Sequence, residues 1–213
     1  MQRRQLLITG GGLVAVGLST TWLGIRQMGS KSEADEAASV MRATLQAKSE
    51  MRDLVRYATL APNGHNTQPW RFAITPDQIT IRPDLSRRTP VVDPDDHHIF
   101  VSLGCAAENL ALAAAARGYR GDAVFDDSDA GSIIFAHLPA PALGSVLFDA
   151  IPKRQSTRAE YDGHKVNAAD LATLAAAAAV PGVDIVIITD RPSMDNVRDL
   201  VVAGNSADRK SVV

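Results

Sequence analysis

The decapeptide Ala61-Pro62-Asn63-Gly64-His65-Asn66-Thr67-Gln68-Pro69-Trp70 separates two segments of different hydrophobic periodicity. Residues 31–61 place apolar side chains among charges at helical spacing. The predicted helix ends ahead of Pro62, because the residue before a proline is pushed out of the helical region. Residues 70–75 alternate like a strand, and residues 79–81 supply its hairpin partner after a Pro-Asp turn. The decapeptide is therefore predicted to be a polar loop between a helix and a hairpin.

Downstream of the hairpin, an Ala-rich helix is predicted from about residue 97 to residue 117, with Gly118 as its stop. Its apolar residues lie nearly all round the helix, which predicts burial on most sides. The remaining pattern predicts strands at 123–125 and 132–138, helices at 143–151 and 168–179, a buried strand at 184–189 and a helix at 193–204. This order of elements predicts an α+β domain.

The composition, with few aromatic residues and many alanines, predicts a globular chain whose core is built from Ala, Val, Leu and Ile. Of the 213 residues, 46% are hydrophobic and 22% are charged, and the formal net charge is −2. This balance indicates neither a basic nucleic-acid-binding surface nor a disordered acidic tail. Once the N-terminal segment is set aside, the length suits one domain of ordinary size.

Cysteine and histidine usage argues against a metal site. Cys105 is the single cysteine, which excludes an intramolecular disulfide, and its apolar surroundings favour a small buried side chain over a reactive thiol. His97 and His98 follow an Asp-rich run at 93–96, but the chain lacks His-x-x-x-His and His-Glu-x-x-His spacings. Adjacent helical residues also point in different directions. We therefore predict that no metal is bound.

Residues 1–30 have the pattern of an export signal. The Arg3-Arg4 pair precedes an uncharged stretch, residues 6–25, that is interrupted by three glycines, as is typical of a twin-arginine signal. The glycines lower hydrophobicity and helix propensity, and so weaken the segment as a permanent membrane span. No clear cleavage site is present, so cleavage and retention as an anchor both stay open. An apolar helix of the fold itself is the remaining alternative.

Two polar clusters have the chemistry to hold a ligand. In the decapeptide, amide side chains offer both donors and acceptors, and Gly64 lets the backbone approach a ligand closely. In the segment 153–158, Arg154 and Arg158 bracket two hydroxyl residues, and guanidinium groups suit a phosphate monoester. The alternatives are an ordinary helix-to-strand turn for the first cluster and a solvated basic loop for the second.

Taken together, the two clusters resemble the nitroreductase-like flavoproteins. The decapeptide is similar to the A-P-S-x-x-N-x-Q-P-W segment of that family, and R-Q-S-T-R at 154–158 resembles its R-x-S-x-R phosphate-binding arm. In ordinary nitroreductases the arm precedes the N-x-Q-P-W segment. The reversed order here, with the signal, is similar to a dormancy-associated subgroup that has a twin-arginine signal and two fused repeats. Residues 86–94 and 102–110 add further matches to this subgroup.

The resemblance implies a nitroreductase-like α+β fold with a nearly complete first repeat, residues 31–145, and a partial second repeat, residues 146–213. The chain is expected to be truncated within the second repeat. One flavin mononucleotide (FMN) is expected, held by both halves of the chain. In the first half, the ribityl chain and the isoalloxazine would be contacted by Pro62, Asn63, Gly64 and Asn66. In the second half, the phosphate would be held by Arg154, Ser156 and Arg158.

The implied activity is hydride transfer through FMN between NAD(P)H or another donor and an unknown acceptor, with no catalytic side chain assigned. A non-catalytic FMN-binding or sequestering protein and an inactive truncated fragment are the alternatives. The expected partners are FMN, NAD(P)H, a small redox-active substrate and the twin-arginine export machinery, and no nucleic acid. The expected location is the periplasm or the outer face of the cytoplasmic membrane, with membrane contact through the N-terminal segment if it is uncleaved.

Overall fold

The computed structural model describes residues 30–157 and 159–211, which fall into two compact units. Unit 1 ends at Ser156 and unit 2 begins at Thr157. The predicted signal therefore lies outside the described residues, apart from Ser30, which caps the first helix. The predicted repeat boundary between residues 145 and 146 stays a prediction.

Unit 1 combines helices with antiparallel strands, which confirms the predicted α+β class. Its helices are α1 (Lys31–Arg42), α2 (Met51–Ala58), α3 (His97–Ala116) and α4 (Val146–Ala150). Its strands are β1 (Trp70–Ile74), β2 (Gln78–Pro83), β3 (Tyr119–Arg120), β4 (Ala123–Asp126), β5 (Ser132–Ala136) and β6 (Leu138–Pro139). The architecture is consistent with a nitroreductase-like fold, while the completeness of the repeats stays a prediction.

The main sheet has the order β1-β2-β5-β4, and every neighbouring pair is antiparallel. The predicted hairpin is confirmed: Trp70 at the start of β1 lies opposite Pro83 at the end of β2. In the middle of the sheet, Ile79 of β2 lies opposite Phe135 of β5. A separate two-stranded sheet joins β3 to β6.

Helix α3 packs against the main sheet and supplies much of the core. Leu103 and Leu110 are fully buried on its inner side, as are Ile79 and Phe135 on the sheet. The predicted bounds of this helix are confirmed to within one residue. Its predicted burial is confirmed as well, because nine of its 20 residues are buried and five more are half-buried. By length and composition alone α3 would suffice to cross a membrane, yet half of it is buried within this fold. Core packing therefore accounts for its apolar composition.

The predicted single helix over residues 31–61 is wrong, because the chain turns between α1 and α2. Leu45 lies in this turn and is 4% exposed, and its backbone N–H donates to the hydroxyl of Tyr57 (3.3 Å). The guanidinium of Arg56 donates to the carbonyl oxygens of Met41 and Ala43, at 2.7 Å each. Burial of Leu45 and satisfaction of the last carbonyls of α1 thus favour two short helices over one long helix.

Unit 2 contains α5 (Ala168–Ala177) and α6 (Arg191–Ser211), and none of its described side chains is buried. The predicted buried strand at 184–189 is wrong: this segment forms no strand and its apolar side chains are exposed. A strand needs a hydrogen-bonded neighbour, and the described part of unit 2 offers none. The predicted helix end at Gly204 is also wrong, because one glycine costs a helix only about 1 kcal/mol.

The contact between α3 and the sheet should carry a large part of the stability of unit 1. Leu103→Ala is expected to lower the free energy of unfolding by about 2–5 kcal/mol, because it opens a cavity at a fully buried position. The matched control is Leu143→Ala, at a side chain that is 71% exposed, with an expected change within about 0.5 kcal/mol. Urea unfolding can be followed by the fluorescence of Trp70, with Trp22 replaced by Phe throughout. Equal losses in the two variants would contradict this packing.

Candidate functional site

The loop between α2 and β1 has an unusual backbone. Three of its residues that are not glycine adopt left-handed conformations: His65 (φ 51°), Asn66 (φ 57°) and Gln68 (φ 49°). Such conformations are uncommon outside glycine, although asparagine and histidine adopt them more readily than most residues. A run of three within four positions stores strain that the surrounding contacts must offset.

Much of the loop's hydrogen bonding is internal. The side chain of Asn63 donates from Nδ2 to the carbonyl of Ala61 (3.2 Å) and accepts at Oδ1 from the backbone N–H of Gln68 (2.8 Å). Thr67 donates to the carbonyl of Gly64 through both its backbone N–H (3.0 Å) and its hydroxyl (2.9 Å). Asn63, which the resemblance assigns to the flavin, thus also holds the loop, with one N–H and one oxygen lone pair remaining.

On one side, helix α3 supports the loop. The backbone N–H of Gly64 donates to the hydroxyl of Ser102 (3.3 Å), and that hydroxyl donates to the carbonyl of His98 (2.5 Å). A Cβ atom at position 64 would lie 3.3 Å from the Cβ of His98, which is tighter than most such contacts. Sequence reasoning missed this role of Ser102. The sequence feature that could have revealed it is a hydroxyl side chain within an otherwise apolar helical segment.

On the other side, an arginine–aspartate cluster supports the loop. Arg87 donates from Nη1 to the carbonyl of Thr67 (2.8 Å), and its Nε lies 3.5 Å from Asp84. Asp84 also accepts from Arg71 (3.1 Å) and from the hydroxyl of Ser86 (2.6 Å). The hydrogen bond from Arg71, followed by that from Ser86, lowers the pKa of Asp84 to about 2. The carboxylate therefore stays charged and continues to anchor the arginines.

The structure brings Arg154 to the start of the loop, 94 residues away in sequence. Its Nη2 donates to the carbonyl of Leu60 (2.9 Å), while its Nε is buried without a partner among the described residues. The segment that carries it is tied to α1, because Arg42 donates from Nη1 to the carbonyls of Pro152 and Arg154, at 2.7 Å each. Sequence reasoning missed Arg42, whose role depends entirely on these distant carbonyls.

The predicted site residues differ in exposure. Pro62, Asn66 and Ser156 are exposed, and Asn63, Gly64 and Arg154 are half-buried. All six belong to unit 1. Arg158, the remaining predicted phosphate ligand, lies outside the described residues. Assignment of these seven residues to FMN stays a prediction.

Cys105 is half-buried on α3. Burial raises the pKa of its thiol, and the positive charge of Arg154 offsets part of that rise. The thiol is therefore protonated at neutral pH and behaves as a small neutral side chain.

The Asp-rich run before α3 serves the helix itself. Asp93 is 2% exposed, accepts from the backbone N–H of His98 (3.0 and 3.1 Å) and lies 3.0 Å from its Nδ1. Burial raises the pKa of Asp93, but these contacts with His98 outweigh it and leave the pKa below its ordinary value. Asp93 thus caps the first turn of α3, which accounts for part of the acidic and histidine cluster.

Two larger clefts of unit 1 lie at other residues. Their volumes are about 740 and 390 Å³, both are lined by Arg120 and Gly121, and neither includes a predicted site residue. A much smaller space, about 10 Å³, lies between the loop at Gly64 and helix α3 at Ser102. That space holds about one water molecule at most, so the loop sits closely on the helix.

Comparison with known proteins gives two similar sequences. Both are named "Putative NAD(P)H nitroreductase" and come from Mycobacterium tuberculosis, strains CDC 1551 / Oshkosh and H37Rv. Each is 31% identical to this chain over 140 residues, which cover 62% of this chain and 40% of the relative. No family model matches the chain. The similarity supports a relationship to nitroreductase-like proteins.

Asp84 gives the site a predictable acid sensitivity. Because its folded pKa of about 2 lies below the ordinary value, its contribution to stability is present above about pH 4 and is lost as the pH falls towards 2. The thermal midpoint of the wild type should therefore fall more between pH 4 and pH 2 than that of Asp84→Asn.

The control for this measurement is Asp122→Asn, at an exposed carboxylate, which should follow the wild type. Scanning calorimetry at several pH values provides the midpoints. Parallel curves for the wild type and Asp84→Asn would show that the anchor does not carry this pH dependence.

Proposed function

We propose that this chain is an FMN-binding oxidoreductase of the nitroreductase type, which passes hydride from NAD(P)H or another donor to a small redox-active acceptor. The observation that carries the proposal is the contact between Arg154 and the carbonyl of Leu60, two residues before Pro62. This contact joins the arm that resembles a phosphate-binding segment to the loop that resembles a flavin-binding segment. The names of the two similar proteins support the same activity.

Arg154 has the properties of a phosphate ligand. Its guanidinium is a cationic fork with five N–H donors, of which the contact with Leu60 uses one. The buried Nε without a partner is a donor that a bound anion could satisfy after a small side-chain adjustment. Ser156 adds an exposed hydroxyl two residues later. These residues fit the phosphate of FMN, and by resemblance Arg158 joins them.

The loop suits a flat heteroaromatic ring. Asn66 is exposed, and its side-chain amide makes no hydrogen bond within the described residues, so both a donor and an acceptor are available. Gly64 and Pro62 add no charge and little bulk. When bound, FMN itself supplies the hydride chemistry. The protein residues hold and orient the cofactor, which explains why no general acid or base needs to be assigned.

The proposal also covers the repeats of the chain and the role of its N-terminal segment. The chain is proposed to combine a first nitroreductase-like repeat, residues 31–145, with residues of a second repeat, 146–213, so that one FMN contacts both. Residues 1–30 are proposed to direct export through the twin-arginine route, to the periplasm or the outer face of the cytoplasmic membrane. This route carries folded proteins, which suits a protein that loads its cofactor in the cytoplasm.

Flavin binding is the direct test of the proposed function. The purified chain, desalted after incubation with FMN, should keep flavin absorption bands and release FMN on denaturation. Arg154→Ala and Ser156→Ala should each weaken binding, the arginine variant by about 1.5–3 kcal/mol for one lost charge-assisted bond. Arg120→Ala, at an exposed arginine that lines another cleft, is the matched control and should bind FMN as the wild type does.

The outcomes separate the candidate functions. Flavin binding with oxidation of NAD(P)H by a nitroaromatic compound or a quinone would support the oxidoreductase. Binding without turnover would favour a protein that stores or sequesters FMN. A folded chain that takes up no FMN would reject both, and equal affinities in all three variants would reject the phosphate assignment.

Export is tested separately. Replacement of Arg3 and Arg4 by lysine should abolish twin-arginine export, because this route reads the arginine pair as an address. Fractionation of cells that express residues 1–35 fused to a folded fluorescent reporter measures the effect. Lys31→Ala, just after the signal, is the control. Periplasmic fluorescence that persists in the double-lysine variant would reject the proposed route.

A further inference from the structure

We propose that Ser102 is a positioning residue for cofactor binding, which holds the loop at Gly64 in the shape that presents Asn66 to the flavin. This inference rests on the proposed function. Ser102 is 2% exposed, so it does not touch a ligand itself. It acts through the backbone of Gly64, two residues from the exposed amide of Asn66.

The hydroxyl of Ser102 is fixed by a second bond. It donates to the carbonyl of His98, one turn earlier on α3, and this bond directs the hydroxyl hydrogen into the helix. The oxygen lone pairs remain for the N–H of Gly64, at 3.3 Å. The hydroxyl thus accepts from the loop backbone and donates to the helix backbone, which links the two.

The strain of the loop explains why such a tie is needed. His65 and Asn66 follow Gly64 directly, and both adopt left-handed backbone conformations. Each such conformation is sparsely populated in an unsupported chain, so the loop would relax to other shapes without external contacts. The hydrogen bond to Ser102 is made by Gly64, the residue before this strained pair. There it can fix the direction in which the backbone enters the pair.

Packing leaves the loop little freedom on this side. The position of a Cβ at Gly64 is 3.3 Å from the Cβ of His98, and the space left between loop and helix is about 10 Å³. Helix α3 is packed in the core, so the hydrogen bond to Ser102 fixes the loop relative to the core. Loss of the hydroxyl would remove the directional bond while leaving this packing in place.

Three variants of the full chain test the proposal. Ser102→Ala removes the hydroxyl. Ser102→Thr keeps it, because a threonine hydroxyl also bonds the carbonyl one turn earlier in a helix. Ser132→Ala is the matched control: Ser132 is fully buried on β5, and its hydroxyl has no partner among the described residues. Each variant is measured for FMN affinity, by flavin fluorescence, and for hydrogen exchange of the Gly64 amide without FMN, by nuclear magnetic resonance.

The three variants are expected to differ in FMN affinity and in Gly64 exchange. Ser102→Ala should weaken FMN binding by about three- to tenfold and speed Gly64 exchange by a similar factor, as expected for one lost hydrogen bond. Ser102→Thr should restore both towards the wild type, and Ser132→Ala should change neither. Thermal midpoints, measured alongside, separate loop positioning from a general loss of stability.

Other outcomes would overturn the proposal. Unchanged FMN affinity in Ser102→Ala would do so, as would equal weakening in Ser132→Ala, which would indicate a general packing effect. If the wild type bound no FMN, the proposed function would fail, and the role in cofactor binding would fail with it. Hydrogen exchange of the Gly64 amide would then test by itself whether the Ser102 hydroxyl holds the loop. An unchanged exchange rate in Ser102→Ala would show that it does not.

Discussion

Burial of helix α3 against the four-stranded sheet is the constraint on which the rest of unit 1 depends. Of its 20 residues, 14 are buried or half-buried, and the helix packs against the sheet and against α2. Once α3 is fixed, it makes two separate contacts near its N-terminus. Its first turn is capped by Asp93, and its second presents Ser102 to the loop. Core packing and the candidate site therefore share one element.

The loop illustrates how polar residues divide between structure and ligand binding. Asn63 and Thr67 hold the loop in shape, while Asn66 and Pro62 remain exposed. A loop that satisfies its own backbone donors can keep a strained shape before a ligand arrives, and this preorganisation lowers the entropic cost of binding. The same reasoning explains why an amide-rich motif contributes fewer free amides to a ligand than its sequence indicates.

The two units differ in how much of their apolar surface they bury. Unit 1 has a continuous core from α2 through the sheet to α4, where Phe148 stacks on Tyr57 at 5.4 Å. Unit 2 leaves its apolar segment 184–189 exposed and buries no described side chain.

The chain spans 40% of the length of the two similar proteins, so the activity of a whole protein of that kind is a proposal for this chain.

The sequence by itself determined the features that depend on near neighbours. The hairpin at residues 70–83 and the bounds of α3 follow from local periodicity and from turn and stop residues, and the structure confirms both. Tertiary structure decided the features whose partners lie far along the chain. Ser102 meets Gly64 across 38 residues, and Arg154 meets Leu60 across 94. Local pattern carries no information about such contacts, because they form only after the core brings the segments together. The break after α1 and the unpaired segment 184–189 were mispredicted for the same reason. Helix and strand preferences weigh about 1 kcal/mol per residue or less, and burial of one side chain or the lack of a partner strand outweighs them.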